Sequence, residues 1–378
     1  MNSKITILGN ADSFWLQRFV DNVSVPLKQN VSIVSATNTK YSDYYSKNGI
    51  QVITTKPMKK GLLGSRFDAI RTTLNTVRAI KNQKPDIIHI HYAYPYILRI
   101  IPYIGKKRKT IVTFWGSDLL RANKAEIELI NKTSREVDAL VVGAEDLYSR
   151  LIEINTELEH KTSLIRMGLT AFDNIDAKRE SADDCRTRLI GNQHEGKTII
   201  TVGYNAGRAQ QHINVIRSLA EMPDTLKSKI VIVLPLTYQN EDINYHEEIK
   251  KELGKAHITN VLLTEFMNDD QIAELCLSTD IFINAQTTDA ISASMLEHFY
   301  AGSIVLNGKW LKYEFLENNN IEAITFDSFA ELCEIIERLL LGREKRENLN
   351  RDINALKENF SWEASRDLWK QLYSELDD

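Results

Sequence analysis

Short apolar runs alternate with helix-like segments along most of this chain, and that rhythm restricts it to parallel sheets covered by helices. The runs Lys4 to Leu8, Val31 to Ser35, Gln51 to Thr54, Asp86 to His91, Thr110 to Phe114 and Ala139 to Gly143 form a first set. Thr198 to Val202, Lys229 to Leu234, Asn260 to Leu263, Asp280 to Asn284 and Ser303 to Leu306 form a second. Between the sets, residues 173–197 are polar, charged and poor in large apolar side chains, the profile of a linker plus a surface helix. The chain has 378 residues, more than the roughly 250–300 at which a single core stops growing. The expected fold is therefore α/β, with two Rossmann-like, doubly wound domains at 1–172 and 198–360 and the linker at 173–197. Two such sheets create a central cleft at the carboxyl ends of their strands, where ligands bind in folds of this kind. Arg66 to Asn82 carries Phe67, Ile70, Leu74, Val77 and Ile80 at helical spacing, which predicts one buried helix face. Trp362 to Leu376 has the pattern of an amphipathic helix docked on a domain.

Composition narrows the function classes. A net charge of −4 argues against general nucleic-acid binding. Cys185, Cys276 and Cys333 lack metal or redox spacing, as in a reducing compartment. No signal peptide and no apolar stretch of membrane-spanning length is evident, so the expectation is a cytoplasmic protein, at most peripheral to the inner face of the plasma membrane. Basic loops with apolar residues at 58–66 and 92–109 are the segments that would make such a contact.

The chemistry-bearing motifs follow strands. After the run ending at Ala285, the segment 289–302 places Asp289 in a turn and Glu297 about one turn inside a helix that starts near Ser292 or Ser294. The N–H groups at such a start, around Ser292, Ala293 and Ser294, suit a phosphate, and the carboxylates suit sugar or ribose hydroxyls. After Thr198 to Val202 comes a loop with Gly203, Asn205, Arg208 and His212. Its glycines permit close backbone approach, Arg208 offers a planar donor fork and His212 a further donor, which suits a diphosphate. In the first half, His89 and His91 share one strand face, with His91 nearer the strand end and His89 the interior one. His91 suits hydrogen bonding to a substrate, and no third ligand is spaced for a metal. Trp115 and Asp118 end another strand, where Asp118 either caps a helix or binds a hydroxyl. Asn10 and Ser13 lie in the turn after the first strand, where they would admit an acceptor or the donor sugar.

The order of DIIHIH (86–91), VTFWGSD (112–118), VGYNAGR (202–208), DAISASMLEHFYAG (289–302) and FSWEASRDLWKQLY (360–373) resembles the GT-B glycosyltransferases, specifically the large retaining family 4 type. The resemblance covers nearly the whole chain and implies that the last helix, within 361–378, crosses back to the N-terminal domain. It implies a donor site in which Asp289 meets the transferred sugar, Glu297 holds the ribose and Arg208 stabilises the departing diphosphate. His91 would lie beside the sugar. Acceptor contacts would come from Asn10, Ser13, Trp115 and Asp118. An Asp stands where the family more commonly has Glu, the lysine expected after the arginine is absent with His212 near its place, and Trp115 replaces a frequent histidine. VGYNAGRAQQH and VLPLTYQ are also similar to the inverting 4-acetamidofucosyl transferases of lipid-linked glycan assembly.

These features predict a transferase that moves a sugar from a nucleotide-diphosphate sugar to a saccharide or lipid-linked acceptor in bacterial surface-glycan synthesis. It would be retaining, independent of metal and without a cofactor. The alternatives are a noncatalytic nucleotide- or glycan-binding partner of a transferase complex, or a nucleotide-sugar epimerase.

Overall fold

The computed structural model describes residues 3–55, 65–104, 108–239, 241–342 and 352–377. Most of the basic loop at 58–66, and residues 105–107 of the second basic segment, lie outside the described residues. The chain forms two units: Met1–Gly168 together with Trp362–Asp378, and Leu169–Ser361.

Unit 1 holds β1 (Lys4–Leu8), β2 (Asn30–Ser35), β3 (Gln51–Thr54), β4 (Ile87–Ile90), β5 (Lys109–Phe114), β6 (Ala139–Val142) and β7 (Thr162–Leu164). They pair in parallel in the order β3-β2-β1-β4-β5-β6-β7. Central strands such as Ile87–Ile90 and Ala139–Val142 are apolar at nearly every position because helices cover both sheet faces. The order reverses between β1 and β4, and the crevice outside their carboxyl ends is where such a sheet binds ligands. The helix Trp362–Asp377 completes this unit. Its Trp362, Trp369, Leu372 and Tyr373 join Ile7, Phe19 and Val141 in one core. Leu368 of the same predicted stripe stays exposed.

The helix Ser65–Gln83 corrects one expectation. Val77 and Ile80 are buried as predicted, but Ile70 and Leu74 are each 59% exposed. Thr72 and Thr76 take the inward positions instead, with the Thr76 hydroxyl 3.4 Å from that of Thr55. The inward face is thus formed by Thr72, Thr76, Val77 and Ile80, and the Phe67 side chain lies outside the described residues.

Unit 2 holds β8 (Thr198–Val202), β9 (Ile230–Pro235), β10 (Asn260–Leu263), β11 (Ile281–Asn284), β12 (Ile304–Gly308) and β13 (Ile324–Phe326). All pair in parallel in the order β10-β9-β8-β11-β12-β13, so the reversal falls between β8 and β11. Residues 173–197, expected as a linker with a surface helix, are instead built into this unit. The helices Ala171–Lys178 and Ala182–Ile190 bury Phe172, Ile175, Cys185 and Ile190. Phe172 stacks on Tyr300 at 4.2 Å, and Lys178 and Arg188 both reach Glu274. Few but well-spaced apolar residues suffice when long charged side chains also pack along their stems.

Candidate active site

The loop after β8 is tied to the loops after β9 and β11 by its own backbone. Gly203 N–H donates to the Ile283 carbonyl at 3.1 Å, Ala206 N–H to Tyr238 at 2.9 Å, and Thr287 N–H to Ala209 at 2.9 Å. Gly203 has φ +64°, and a Cβ there would stand 2.8 Å from Oε1 of Gln210, so both its conformation and its surroundings select glycine. Asn205 is buried and accepts from Gly207 N–H at 2.8 Å, folding the loop back on itself. Gln286 underlies the same loop. Its Oε1 accepts from the Tyr204 hydroxyl at 3.0 Å and from Nε2 of Gln210 at 3.3 Å, while its backbone carbonyl takes the Trp310 indole N–H at 2.8 Å.

Asp289 sits in the turn after β11, half-buried, and accepts from the Tyr313 hydroxyl at 3.1 Å. That hydroxyl receives Nδ2 of Asn284 at 2.9 Å, and the same amide nitrogen donates to Oδ1 of Asn307 at 2.9 Å. Asn284 and Asn307 are register partners at the ends of β11 and β12, so the sheet itself fixes the anchor of Asp289. The phenols of Tyr204 and Tyr313 are pushed up first by burial and then by the charge of Asp289. Tyr238 is raised to about 12, first by burial, with the charges of Glu297 and Asp289 adding to it. The two carboxylates thus share one tyrosine-lined electrostatic neighbourhood.

The helix predicted beyond them spans Ala293–Ala301, and the Ser292 side chain caps it by accepting from Met295 N–H at 3.2 Å. Ala293 and Ser294 occupy the first turn, whose N–H groups have no partner within a helix, and Glu297 follows about a turn later. His298, one residue on, is interior. It lies stacked on Phe282 at 4.1 Å and is lowered to about 4 by burial.

Two donor-site expectations are changed by the structure. Arg208 is 53% exposed, but its Nε donates to Asp242 at 2.7 Å, Nη1 reaches Glu248 at 3.3 Å, and the guanidinium lies 4.6 Å from the Tyr245 ring centre. Hydrogen bonding to Asp242, then to Glu248, raises its already high pKa further. Its charge is therefore shared with two acids in this structure. His212 is fully buried, with Nδ1 3.3 Å from the Tyr245 hydroxyl, and burial lowers it to about 3. A neutral interior imidazole cannot replace the missing lysine as a cation.

In unit 1, His91 follows β4 directly, and its N–H donates to the Leu8 carbonyl at 3.0 Å. It is 4% exposed, and burial, with His89 beside it, holds it well below the usual imidazole range. His89 is the interior histidine expected. It lies 2.8 Å from both the Tyr373 and Thr113 hydroxyls and is lowered to about 3 by burial. Asp118 neither caps a helix nor stands free for an acceptor. Its carboxylate accepts from Trp115 and Gly116 N–H at 3.0 and 2.9 Å and from Ala93 N–H at 3.1 Å, locking the loops after β4 and β5 together. Gly116 supports that lock at φ +133°, a backbone angle side chains disfavour. Burial raises the Asp118 pKa, against the lowering effect of those backbone donors. Asn10 is exposed and accepts from Thr37 and from Asp12 N–H, while Ser13 precedes the helix Phe14–Phe19 without capping it.

Among the described residues, no group of three or more His, Cys, Asp or Glu is placed to hold a metal ion. Among the same residues, no helix is long and apolar enough to cross a membrane.

A family model described as "Glycosyl transferase 4-like" matches residues 4–142. A glycosyltransferase from Rickettsia africae ESF-5 superposes with a TM-score of 0.74 at 18% identity, covering 99% of this chain and 98% of that one. Anabaena HepE, solved with UDP and glucose, gives a TM-score of 0.74 at 12% identity over 99% and 100% of the two chains. The chain has the GT-B fold. Sucrose-phosphate synthase from Thermosynechococcus elongatus has the same fold at a TM-score of 0.72 and 11% identity, over 99% of each chain. No curated protein matches this chain by sequence.

Sequence motifs alone had pointed to Asp289, Glu297, Gly203 and the Ser292 helix start. They did not identify Tyr204 and Gln286 beneath the Gly203 loop, or Asn284, Asn307 and Tyr313, which anchor Asp289. The asparagines closing two neighbouring strands were the available signal, because a buried amide at a strand end has to be bonded to something.

Proposed function

We propose that this chain is a glycosyltransferase that takes a nucleotide-diphosphate sugar in unit 2 and transfers its sugar to a saccharide or lipid-linked acceptor bound by unit 1, in bacterial surface-glycan synthesis. The observation that carries this reading is the placement of Asp289 at the β8/β11 reversal, anchored by Tyr313 and flanked by the glycine loop and the capped helix start. The N–H groups of Ala293 and Ser294 would bind the diphosphate, with Gly203 and Asn205 shaping the loop that approaches it. Asp289 would accept from hydroxyls of the transferred sugar and Glu297 from those of the ribose. Arg208 would serve the departing phosphate after exchanging Asp242 and Glu248 for it. His91 is a neutral hydrogen-bonding group for a sugar hydroxyl. Asn10, Ser13 and Trp115 would line the acceptor side, with Asp118 holding the Trp115 loop to the one after β4.

No metal or cofactor is required by this scheme, since fixed backbone dipoles meet the charge that develops on the leaving diphosphate. With retention, the bond from the sugar to the diphosphate breaks as the acceptor oxygen bonds to the same face. The acceptor proton passes to the departing phosphate oxygen. HepE, solved with UDP-glucose, makes uridine diphosphate sugars the first donors to try. We place the protein in the cytoplasm, with basic residues toward the membrane where lipid-linked acceptors reside.

The test is NMR of nucleotide-sugar mixtures with saccharide and lipid-linked acceptors, reading released nucleotide and product anomer. The expected result is nucleotide release with an anomer matching the donor's, and loss of donor binding in Glu297→Ala. Full donor affinity in Glu297→Ala would reject the ribose assignment. Binding without any release would favour a noncatalytic partner, the reading supported by the acid-paired state of Arg208.

A further inference from the structure

In unit 2, the turn after β9 is clasped to the loop after β8, its parallel neighbour in the sheet. Ala206 N–H donates to the Tyr238 carbonyl at 2.9 Å, and a Cβ at Gly207 would stand 2.5 Å from Oε1 of Gln239. Gln239 has φ +56°, a left-handed conformation uncommon for any residue but glycine. The strained residue directly follows Tyr238, and strain of this kind collects at sites where a side chain has to be aimed. Tyr238 is 39% exposed, so the ring is turned toward solvent and away from the core.

The neighbours of that ring define what it meets. It lies 6.4 Å from the ring of Tyr204, whose hydroxyl reaches Gln286 in the turn that carries Asp289 at 3.0 Å. The charges of Glu297 and Asp289 both act on the Tyr238 hydroxyl, which therefore stands between the acid given to the ribose and the acid given to the transferred sugar. The part of a donor that joins ribose to sugar is its diphosphate. Asn205, itself held by Gly207 N–H at 2.8 Å, is the donor in its hydrogen bond with the phenol, so the phenol's own proton is the one it has to give. Raised to about 12, the phenol keeps that proton throughout the neutral range. An ionised phosphate oxygen can only accept, and a hydrogen bond to such an acceptor is among the stronger ones.

We propose that the Tyr238 hydroxyl donates a hydrogen bond to the diphosphate of the nucleotide-sugar donor, which makes Tyr238 a substrate-contacting residue. Asn205 orients the phenol, and the turn at Gln239 holds its ring at the surface. Arg208 is shared with Asp242 and Glu248, and His212 is neutral. The phenol thus takes part of the work of the lysine that the family resemblance implies and this chain lacks, as an uncharged donor facing the charge that grows on the leaving diphosphate. The proposal rests on the transferase reading and adds a residue to its donor side.

Calorimetry of the full chain with UDP, ADP, GDP and dTDP selects the diphosphate that binds, and NMR line broadening measures the matching nucleoside. Tyr238→Phe keeps the ring and is expected to weaken the diphosphate about tenfold, the worth of one hydrogen bond to a charged acceptor. The nucleoside should bind wild type and variant equally, which also shows that the variant is folded. Since no charge is removed, the deficit should be the same at low and high ionic strength. Full diphosphate affinity in Tyr238→Phe overturns the proposal, and a loss confined to Tyr238→Ala would assign the residue a ring contact in its place. An equal loss for diphosphate and nucleoside overturns it as well. A wild type that binds none of the four diphosphates removes the donor reading itself, whereas binding that survives Tyr238→Phe in full leaves that reading and removes only Tyr238.

Discussion

Tyr313 donates its hydroxyl to Oδ2 of Asp289 at 3.1 Å, while Asn284 donates to that same hydroxyl. The phenol is therefore polarised toward the carboxylate and cannot rotate away without losing a buried partner. Tyr313→Phe removes the donor and keeps the ring. A hydrogen bond to a charged group contributes about 1.5–3 kcal/mol, so the expected effect is a fall in kcat of at least about tenfold, with nucleotide affinity nearly unchanged. Steady-state kinetics beside calorimetry with free nucleotide separate the two. An unaltered kcat would show that Asp289 is held by its other surroundings.

Arg208 supplies a second prediction. Since Asp242 and Glu248 compete with any phosphate for the guanidinium, Asp242→Asn and Glu248→Gln should each tighten donor binding severalfold at low salt, and Arg208→Ala should weaken it. Calorimetry at low and high ionic strength checks both. Equal affinity in wild type and Arg208→Ala would remove Arg208 from the site.

The buried histidines set the pH response of stability. An unfolded histidine titrates near 6.5, whereas His89 and His212 are lowered to about 3 in the folded chain. Between these values the unfolded state binds more protons, so stability is fully present above about 6.5 and is lost progressively as pH falls toward about 3. Urea midpoints at several pH values should fall across that window. A flat profile would mean the imidazoles protonate inside the fold.

Tyr373→Phe tests the seating of the last helix. It leaves Nδ1 of His89 without its partner at full burial, which costs about 1–3 kcal/mol. Tryptophan fluorescence during urea unfolding reports mainly on unit 1, which contains Trp15, Trp115, Trp362 and Trp369. An unchanged midpoint would assign the contact no role in holding the helix.

The fold was readable because buried parallel strands have to be apolar on both faces, and runs such as 87–90 and 281–284 carry that mark. The strands Thr162–Leu164 and Ile324–Phe326 escaped notice because three residues at a sheet edge carry no periodicity. Residues 173–197 misled by composition, since Ile175, Cys185 and Ile190 do the packing while charged neighbours dominate the sequence. At the site, glycines and helix-start residues are local signals and were found. The direction of Arg208, the interior position of His212 and the link from Tyr313 to Asp289 depend on residues far apart in sequence. Local patterns do not encode such contacts.

Unit 1 is assembled from both ends of the chain, with unit 2 inserted between them. During translation, all of 169–361 is synthesised before the helix Trp362–Asp377 exists. The half synthesised first is then the half completed last, reversing the usual order in which an N-terminal domain matures ahead of its neighbour. Until that helix arrives, Phe19 and His89 lack Trp369 and Tyr373, and an apolar seat on the nascent chain stands uncovered.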